Sequence, residues 1–210
     1  MRRITNFSTG RLGTLLAAFL QQRGYEVILL RGRMSSWSGV PYGCRVISFG
    51  TTEELIQALE QQQGTGVDAV FHVAAVSDFR PVEVRSSDGK AIGQIGQGKI
   101  PSRTKELWIR LVPSPKVIDR LRGWFPRAWI VGWKYEVEGT QAEALARGQD
   151  QIRRTRTDGC VVNGPAYGPG FGWISGSGEK ILCPDESFLF EVLEQRLQWF
   201  CRSISGTSAD

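Results

Sequence analysis

The sequence has little of what metal centres, disulfide scaffolds and membrane spans require. One histidine and four widely spaced cysteines without a CxxC pair argue against a zinc site and a disulfide framework, so we expect no protein-bound metal. No apolar run approaches the roughly eighteen residues that span a bilayer, and the N-terminus lacks a signal-peptide pattern, which predicts a cytoplasmic protein without membrane attachment. A net charge of +5 spread over scattered arginines gives no basis for nucleic-acid binding.

Strand-like and helix-like segments alternate along most of the 210 residues. This alternation predicts an α/β fold, with a Rossmann-like three-layer α/β/α arrangement around a mostly parallel sheet. We expect a single domain over residues 1–202 and a polar, flexible tail over residues 203–210. The first strand of such a fold is missing from the sequence, because only seven residues precede Ser8.

A polar stretch that contains glycine, Thr5–Gly13, leads into the first helix. Apolar residues then recur at the spacing of one helix face, at Leu12, Leu15, Leu16, Phe19 and Leu20. The unpaired backbone N–H groups at the start of this helix can hold a phosphate, with help from the hydroxyls of Ser8 and Thr9. The absence of a Cβ atom at Gly10 and Gly13 leaves room for close approach. An ordinary Ser/Thr N-cap is the alternative interpretation.

Polar and aromatic residues follow three predicted strands. Val67–Val73 runs into Ala74–Phe79, and Ala128–Gly132 runs into Trp133–Glu136. The last parallel strand ends at Asn163. Because ligands of open parallel sheets gather at the carboxyl ends of the strands, we expect these residues to line a site. A glycine-rich segment, residues 86–99, lies between the first and the second of these strand ends. Its composition predicts a mobile flap.

Together these motifs resemble the phosphopantothenoylcysteine synthetase family, the C-terminal domain of the DNA/pantothenate metabolism flavoproteins. The likeness extends from Arg2 to the last helix. It is carried by RxITNxSxGxxG at 2–13, AAVSDF at 74–79, Lys99-Ile100, LVP at 111–113, GWKYE at 132–136 and VVN at 161–163. Each motif is weak alone, but their order and spacing together are specific.

The resemblance implies a ligase that joins 4′-phosphopantothenate to cysteine in coenzyme A biosynthesis. In that reaction the substrate carboxylate attacks the α-phosphate of CTP or ATP, and the cysteine amine then displaces the nucleotide from the acyl-nucleotide. The resemblance also implies Mg²⁺ bound through the triphosphate, and a homodimer.

It implies roles for individual residues as well. The catalytic residues are Asn6, which contacts the reacting carboxylate, and the flap residue Lys99. The nucleotide-binding residues are Ser8, Gly10, Gly13, Trp133 and Asn163. The substrate-binding residues are Arg2, Ala74, Ala75 and Asp78.

Simpler interpretations stay open for several of these residues. Asp78 could cap the element that follows its strand, and Lys99 could be solvated within its loop. Trp133 could belong to the core, and Asn163 could only form a turn. His72, on a core-like strand, is expected to be structural.

The sequence departs from the family pattern in two places. Met1 stands where members commonly have valine, which suggests a start further upstream. Gln151 and Thr155 stand where some bacterial members that bind cytidine nucleotide have lysines. Arginines at 153, 154 and 156 could substitute for those lysines, so CTP and ATP both stay open.

Two other functions compete with the ligase. An NAD(P)-dependent Rossmann oxidoreductase would require GxGxxG, an acidic residue after the second strand and often YxxxK, and the sequence has none of them. A degenerate family member that binds nucleotide without activity is the other candidate.

Overall fold

The computed structural model of the chain describes residues 6, 8–39, 41–86, 89, 91 and 106–206. The chain forms two units, a smaller one of Met1–Phe7 and Ala75–Lys116 and a larger one of Ser8–Ala74 and Val117–Asp210. Two predicted site residues, Arg2 and Lys99, lie outside the described residues.

The order of elements alternates between helices and strands, as predicted. The elements are α1 (Arg11–Gln22), β1 (Ile28–Gly32), β2 (Arg45–Phe49), α2 (Thr52–Glu60), β3 (Ala69–Phe71), β4 (Phe79–Ser86), β5 (Leu107–Pro113), α3 (Ile118–Trp124), β6 (Trp129–Tyr135), α4 (Gln141–Thr155), β7 (Gly159–Asn163), β8 (Phe171–Ser175), β9 (Lys180–Cys183) and α5 (Glu186–Gly206). The last helix therefore continues past residue 202, where the sequence predicted the start of a tail.

Local sequence signals account for the helix ends of the larger unit. Helix α2 begins where the hydroxyl of Thr51 accepts a hydrogen bond from the N–H of Glu54. Helix α4 begins with a capping box between Thr140 and Glu143. After α1 the chain turns at Gly24, whose φ of 89° favours glycine.

The strands of the larger unit form two hydrogen-bonded groups. Strands β1 and β2 pair in parallel, and the second group has the order β3-β6-β7-β8-β9. Pairing is parallel from β3 to β7 and antiparallel from β7 to β9. Helices α1 and α5 cover one face of the second group and α4 covers the other, so the predicted Rossmann-like α/β class is confirmed.

No pair of strands in the described residues joins β1 to β3. The strands of the larger unit also differ in burial. Every residue of β1 and β3 is partly exposed, whereas Trp129–Gly132 and Gly159–Val162 in the neighbouring strands are buried.

The described part of the smaller unit is built on an antiparallel ribbon of β4 and β5. The alternation over Leu107–Val112 predicts a strand where β5 lies, but no local pattern predicts β4. The pairing shifts register between Pro81 and Glu83, where proline supplies no backbone donor. None of the described helices is both long and apolar enough to cross a membrane.

Candidate functional site

The start of helix α1 presents unpaired backbone donors, as the sequence predicted. The N-cap is Gly10, with a φ of 72° and no side-chain cap, so the ordinary Ser/Thr N-cap is wrong here. The hydroxyl of Ser8 instead accepts from the N–H of Gly10 at 3.3 Å, before the helix begins. Among the described residues no hydrogen-bond acceptor contacts the N–H of Leu12 or Gly13. These two N–H groups are therefore available to an anion.

Residues 33–39, which follow β1, form hydrogen bonds to the turn that precedes helix α1. The carbonyl oxygen of Thr9 accepts hydrogen bonds from the hydroxyl of Ser35 at 2.5 Å and from the N–H of Trp37 at 3.0 Å. In a trans peptide the C=O and the following N–H point in opposite directions. Fixing the Thr9 carbonyl on this segment therefore fixes the direction of the Gly10 N–H. The sequence of this segment predicts only a loop, because Ser35 and Thr9 are 26 positions apart and no local pattern signals their contact.

Two predicted residues lie on adjacent strands. Trp133 lies on β6 and Asn163 ends β7, and the register places Asn163 opposite Tyr135. The indole Nε1 of Trp133 and the amide Oδ1 of Asn163 are both buried, and neither has a hydrogen-bond partner among the described residues. Leaving a buried donor and a buried acceptor unpaired costs free energy, so a bound polar group at this edge would stabilise both.

Gly13 lies against the end of β3 in the same unit. A Cβ atom built at Gly13 would lie 3.7 Å from Cβ of Val73. The N-terminal turn of α1 therefore packs beside the residue that precedes Ala74. Ala74 itself is partly buried.

In the smaller unit, the side chain of Asn6 reaches the segment that carries the AAVSDF motif. Its Nδ2 donates to the carbonyl oxygen of Val76 at 3.0 Å. Asp78 forms an ion pair with Lys116, and its carbonyl accepts from the N–H of Ser114 at 2.8 Å. Strand β4, and no helix, follows Asp78, so it is not a helix cap. Ala75 is exposed.

The partner of Asp78 was missed by sequence reasoning. Lys116 lies 38 positions away, after two prolines and just before the start of α3. Nothing in the local pattern distinguishes it from an ordinary surface lysine. Both side chains are exposed, Lys116 at 52% and Asp78 at 57%. The ion pair therefore contributes little to stability, and the Asp78 carboxylate stays accessible.

The family described as the DNA/pantothenate metabolism flavoprotein C-terminal domain matches residues 1–175 of the 210. The chain belongs to this family. Among curated relatives, the coenzyme A biosynthesis bifunctional protein CoaBC of Thermococcus kodakarensis is 35% identical over 164 residues, which cover 78% of this chain and 37% of the relative. CoaBC of Mycobacterium bovis is 31% identical over 186 residues, 84% of this chain and 42% of the relative. The chain thus spans less than half the length of these two relatives.

Solved structures share the fold of this family member. The DNA/pantothenate metabolism flavoprotein from Streptococcus pneumoniae superposes with a TM-score of 0.79 at 21% identity, covering 95% of this chain and 92% of that one. A Cab2 mutant, H337A, in complex with phosphopantothenate-cysteine superposes with a TM-score of 0.71 at 18% identity, covering 98% and 83%.

Gln151 and Thr155, where the resemblance implies lysines in some family members, are both buried. The amide of Gln151 donates to the sulfur of Cys160 at 3.4 Å, and the hydroxyl of Thr155 donates to the carbonyl of Gln151 at 2.7 Å. Arg153 and Arg154 are exposed and form ion pairs on the outside of α4, with Asp150 and Asp119 respectively. Since α4 leads into the start of β7, its C-terminal arginines lie at the opposite end of that strand from Asn163.

Histidine and cysteine behave as structural residues. Burial lowers the pKa of His72 to about 4, so its imidazole is neutral at physiological pH. Burial raises the pKa of Cys160 to about 12 and that of Cys183 to about 11, which makes both thiols unreactive. Within the described ranges, no three His, Cys, Asp or Glu side chains cluster as metal ligands would.

Proposed function

We propose that this chain is a phosphopantothenate–cysteine ligase, which joins 4′-phosphopantothenate to cysteine through an acyl-nucleotide intermediate. Family membership and relatives named for coenzyme A biosynthesis support the proposal. A structural neighbour bound to phosphopantothenate-cysteine agrees with it. The observation that carries it is the hydrogen bond of Asn6 to Val76, because it joins the residue expected at the reacting carboxylate to the segment expected to bind the substrate.

The proposed chemistry needs activation because a carboxylate has no good leaving group. The unpaired N–H groups at the start of α1, with Ser8, Gly10 and Gly13, would hold the triphosphate. Asn6 would donate to the oxygen on which negative charge develops. The family resemblance adds Lys99 at the phosphates and Arg2 at the substrate phosphate, with Ala74, Ala75 and Asp78 along the pantothenate arm.

The nucleotide base would stack on Trp133 and bond to Asn163. The unpaired Nε1 and Oδ1 atoms of these residues favour this role. Gln151 and Thr155 bring no positive charge to the site, and Arg153 and Arg154 are paired elsewhere. This end of α4 lies at the start of β7, opposite Asn163, so these residues give no basis for choosing between ATP and CTP, and the assay below decides between the two nucleotides. Mg²⁺ would enter with the triphosphate.

We also propose a homodimer that forms through the β4–β5 ribbon. The ribbon exposes large apolar side chains, at Phe79, Trp108, Ile109 and Leu111. Its charged face carries Glu83 beside Arg85 and Arg110, so it presents both signs of charge, as a self-complementary two-fold interface requires. A second copy of the chain is therefore the partner that this surface fits.

The test is pyrophosphate release that depends on both phosphopantothenate and cysteine, measured with ATP and with CTP. Asn6→Ala and Asn6→Asp are expected to lower the rate by about a hundredfold, because both remove the amide donor and the second keeps its size. Lys180→Ala, on the exposed start of β9, is the control and should act as the parent does.

The outcomes separate the candidate functions. Nucleotide binding without cysteine-dependent pyrophosphate release would reject the ligase in favour of a degenerate nucleotide-binding member. The nucleotide with the faster turnover identifies the co-substrate, and either result leaves the ligase intact.

A further inference from the structure

The turn that follows Asn163 packs directly on the backbone of Glu136. The carbonyl oxygen of Asn163 accepts a hydrogen bond from the N–H of Glu136 at 2.9 Å, and the carbonyl of Glu136 accepts from the N–H of Ala166 at 3.1 Å. Gly164, between them in the turn, has a φ of 113°, and a Cβ atom there would lie 2.4 Å from the carbonyl oxygen of Glu136. The position of Asn163 is therefore set by the position of the Glu136 peptide.

The Glu136 peptide is in turn held through its side chain. The carboxylate is only 13% exposed and lies between Lys134, at 3.0 Å, and Arg147 of α4, at 2.5 Å. Arg147 also donates to the carbonyl oxygen of Glu138 at 2.9 Å, so one guanidinium contacts this segment at two points. Partial burial alone would raise the pKa of Glu136, but hydrogen bonds and charge from Lys134 and Arg147 outweigh burial and lower it. The carboxylate is thus ionised at neutral pH.

The side chain of Asn163, which this arrangement supports, has a hydrogen-bond acceptor without a partner among the described residues. Oδ1 of Asn163 is buried and has no partner among the described residues, so its energetic role depends on a bound ligand. Small displacements matter for such a contact, because a hydrogen bond weakens steeply with poor alignment.

We propose that Glu136, clamped by Arg147, is a positioning residue that aligns Asn163 with the nucleotide base. The inference rests on the proposed function, since it presumes that Asn163 contacts a base. Glu136 contacts no ligand itself in this scheme. It acts through the backbone hydrogen bond to Asn163, and it sets the affinity for the nucleoside part of the co-substrate.

The experiment compares two ligands by titration calorimetry, ATP and inorganic tripolyphosphate. Glu136→Gln and Arg147→Met are expected to weaken ATP binding about five- to tenfold, which corresponds to the loss of one hydrogen bond. Tripolyphosphate has no base, so its affinity should change less than about twofold. A purely structural role would weaken both ligands together, and the ratio between them is therefore the decisive readout.

Glu138→Gln is the matched control. Glu138 is exposed in the same segment, its carboxylate forms no ion pair among the described residues, and only its backbone contacts Arg147. The control should bind both ligands as the parent does. A double variant of Glu136→Gln with Asn163→Ala should bind ATP no more weakly than Asn163→Ala alone, since both changes remove the same contact.

The results separate the positioning role from the function on which it rests. If Asn163→Ala weakens ATP binding and neither Glu136→Gln nor Arg147→Met does, the inference is overturned and the ligase proposal survives. If Asn163→Ala binds ATP normally, the base contact is absent and the inference falls with it, while pyrophosphate release still reports on the ligase. Should Glu136→Gln fail to fold, Arg147→Met keeps the comparison, because Lys134 remains to pair with Glu136.

Discussion

Gly10 shows how one residue decides the geometry of the proposed phosphate turn. Its φ of 72° lies in the left-handed region, and a Cβ atom there would lie 2.2 Å from the hydroxyl oxygen of Ser35. The sequence predicted that glycine leaves room for an anion at this position. The structure adds that glycine leaves room for Ser35, which holds the Thr9 carbonyl.

Gly10→Ala is expected to destabilise the protein by about 2 kcal/mol or more and to weaken tripolyphosphate binding. The reason is both backbone strain and displacement of Ser35. Urea unfolding and calorimetry measure the two effects.

Gly64→Ala provides the comparison for this change. Gly64 has nearly the same φ, 73°, but a Cβ atom built there meets nothing within 4 Å. Its alanine variant should lose about 1 kcal/mol and retain full tripolyphosphate binding. Equal losses in the two variants would show that the contact with Ser35 is unimportant.

At the scale of elements, local patterns located most helices and strands of the larger unit, but not the ribbon. The helical pattern of Gln141–Thr155 and the apolar run Gly159–Asn163 predict a helix and a strand with the same bounds as α4 and β7. Their signals are local, since a capping box and a buried apolar run need no distant partner. Strand β4 was missed because Pro81, Glu83 and Arg85 suggest a loop, and only pairing with β5, about twenty residues later, makes it a strand.

The same limit applied to the candidate site. Trp133 and Asn163 could be placed on the sheet because each belongs to a strand with a strong local pattern. The contacts of Ser35 with Thr9, of Lys116 with Asp78 and of Arg147 with Glu136 join different elements. Nothing in the sequence near either partner signals them.

Trp108→Glu is expected to convert the proposed dimer into a monomer. Trp108 is 63% exposed on β5, and the change removes a large apolar side chain from the proposed interface and buries a charge there, a cost that the neighbouring Arg85 offsets only in part. Light scattering after gel filtration, over a range of concentrations, measures the mass.

The control is Trp199→Glu. Trp199 is as exposed, at 69%, but lies on α5 of the larger unit. It should leave the dimer intact. A parent chain that is monomeric at all concentrations, or a dimer that survives Trp108→Glu, would contradict the proposed interface.

At the scale of the whole molecule, the stability of the fold should depend on the only histidine between about pH 4 and pH 6.5. The unfolded chain binds a proton on His72 in this range and the folded chain does not. The free energy of unfolding therefore falls as the pH is lowered through the range, by up to about 3 kcal/mol. This part of the stability is fully present above about pH 7.

Replacing His72 by glutamine should remove this component and flatten the pH dependence in urea unfolding experiments. Proton NMR of the parent provides a direct check, because the single imidazole should titrate near pH 4. An imidazole that titrates near its ordinary value, or an unchanged pH profile in the glutamine variant, would contradict the prediction.

The separation of β1 from β3 has a consequence for how the larger unit opens. No backbone hydrogen bond between strands links the β1–β2 pair to the five-stranded group in the described residues. The pair can therefore detach in a sub-global fluctuation that leaves the ladder from β3 to β9 intact. In native-state hydrogen exchange, the amides between β1 and β2 would then form a foldon of lower protection, distinct from the slowest-exchanging amides between β6 and β7.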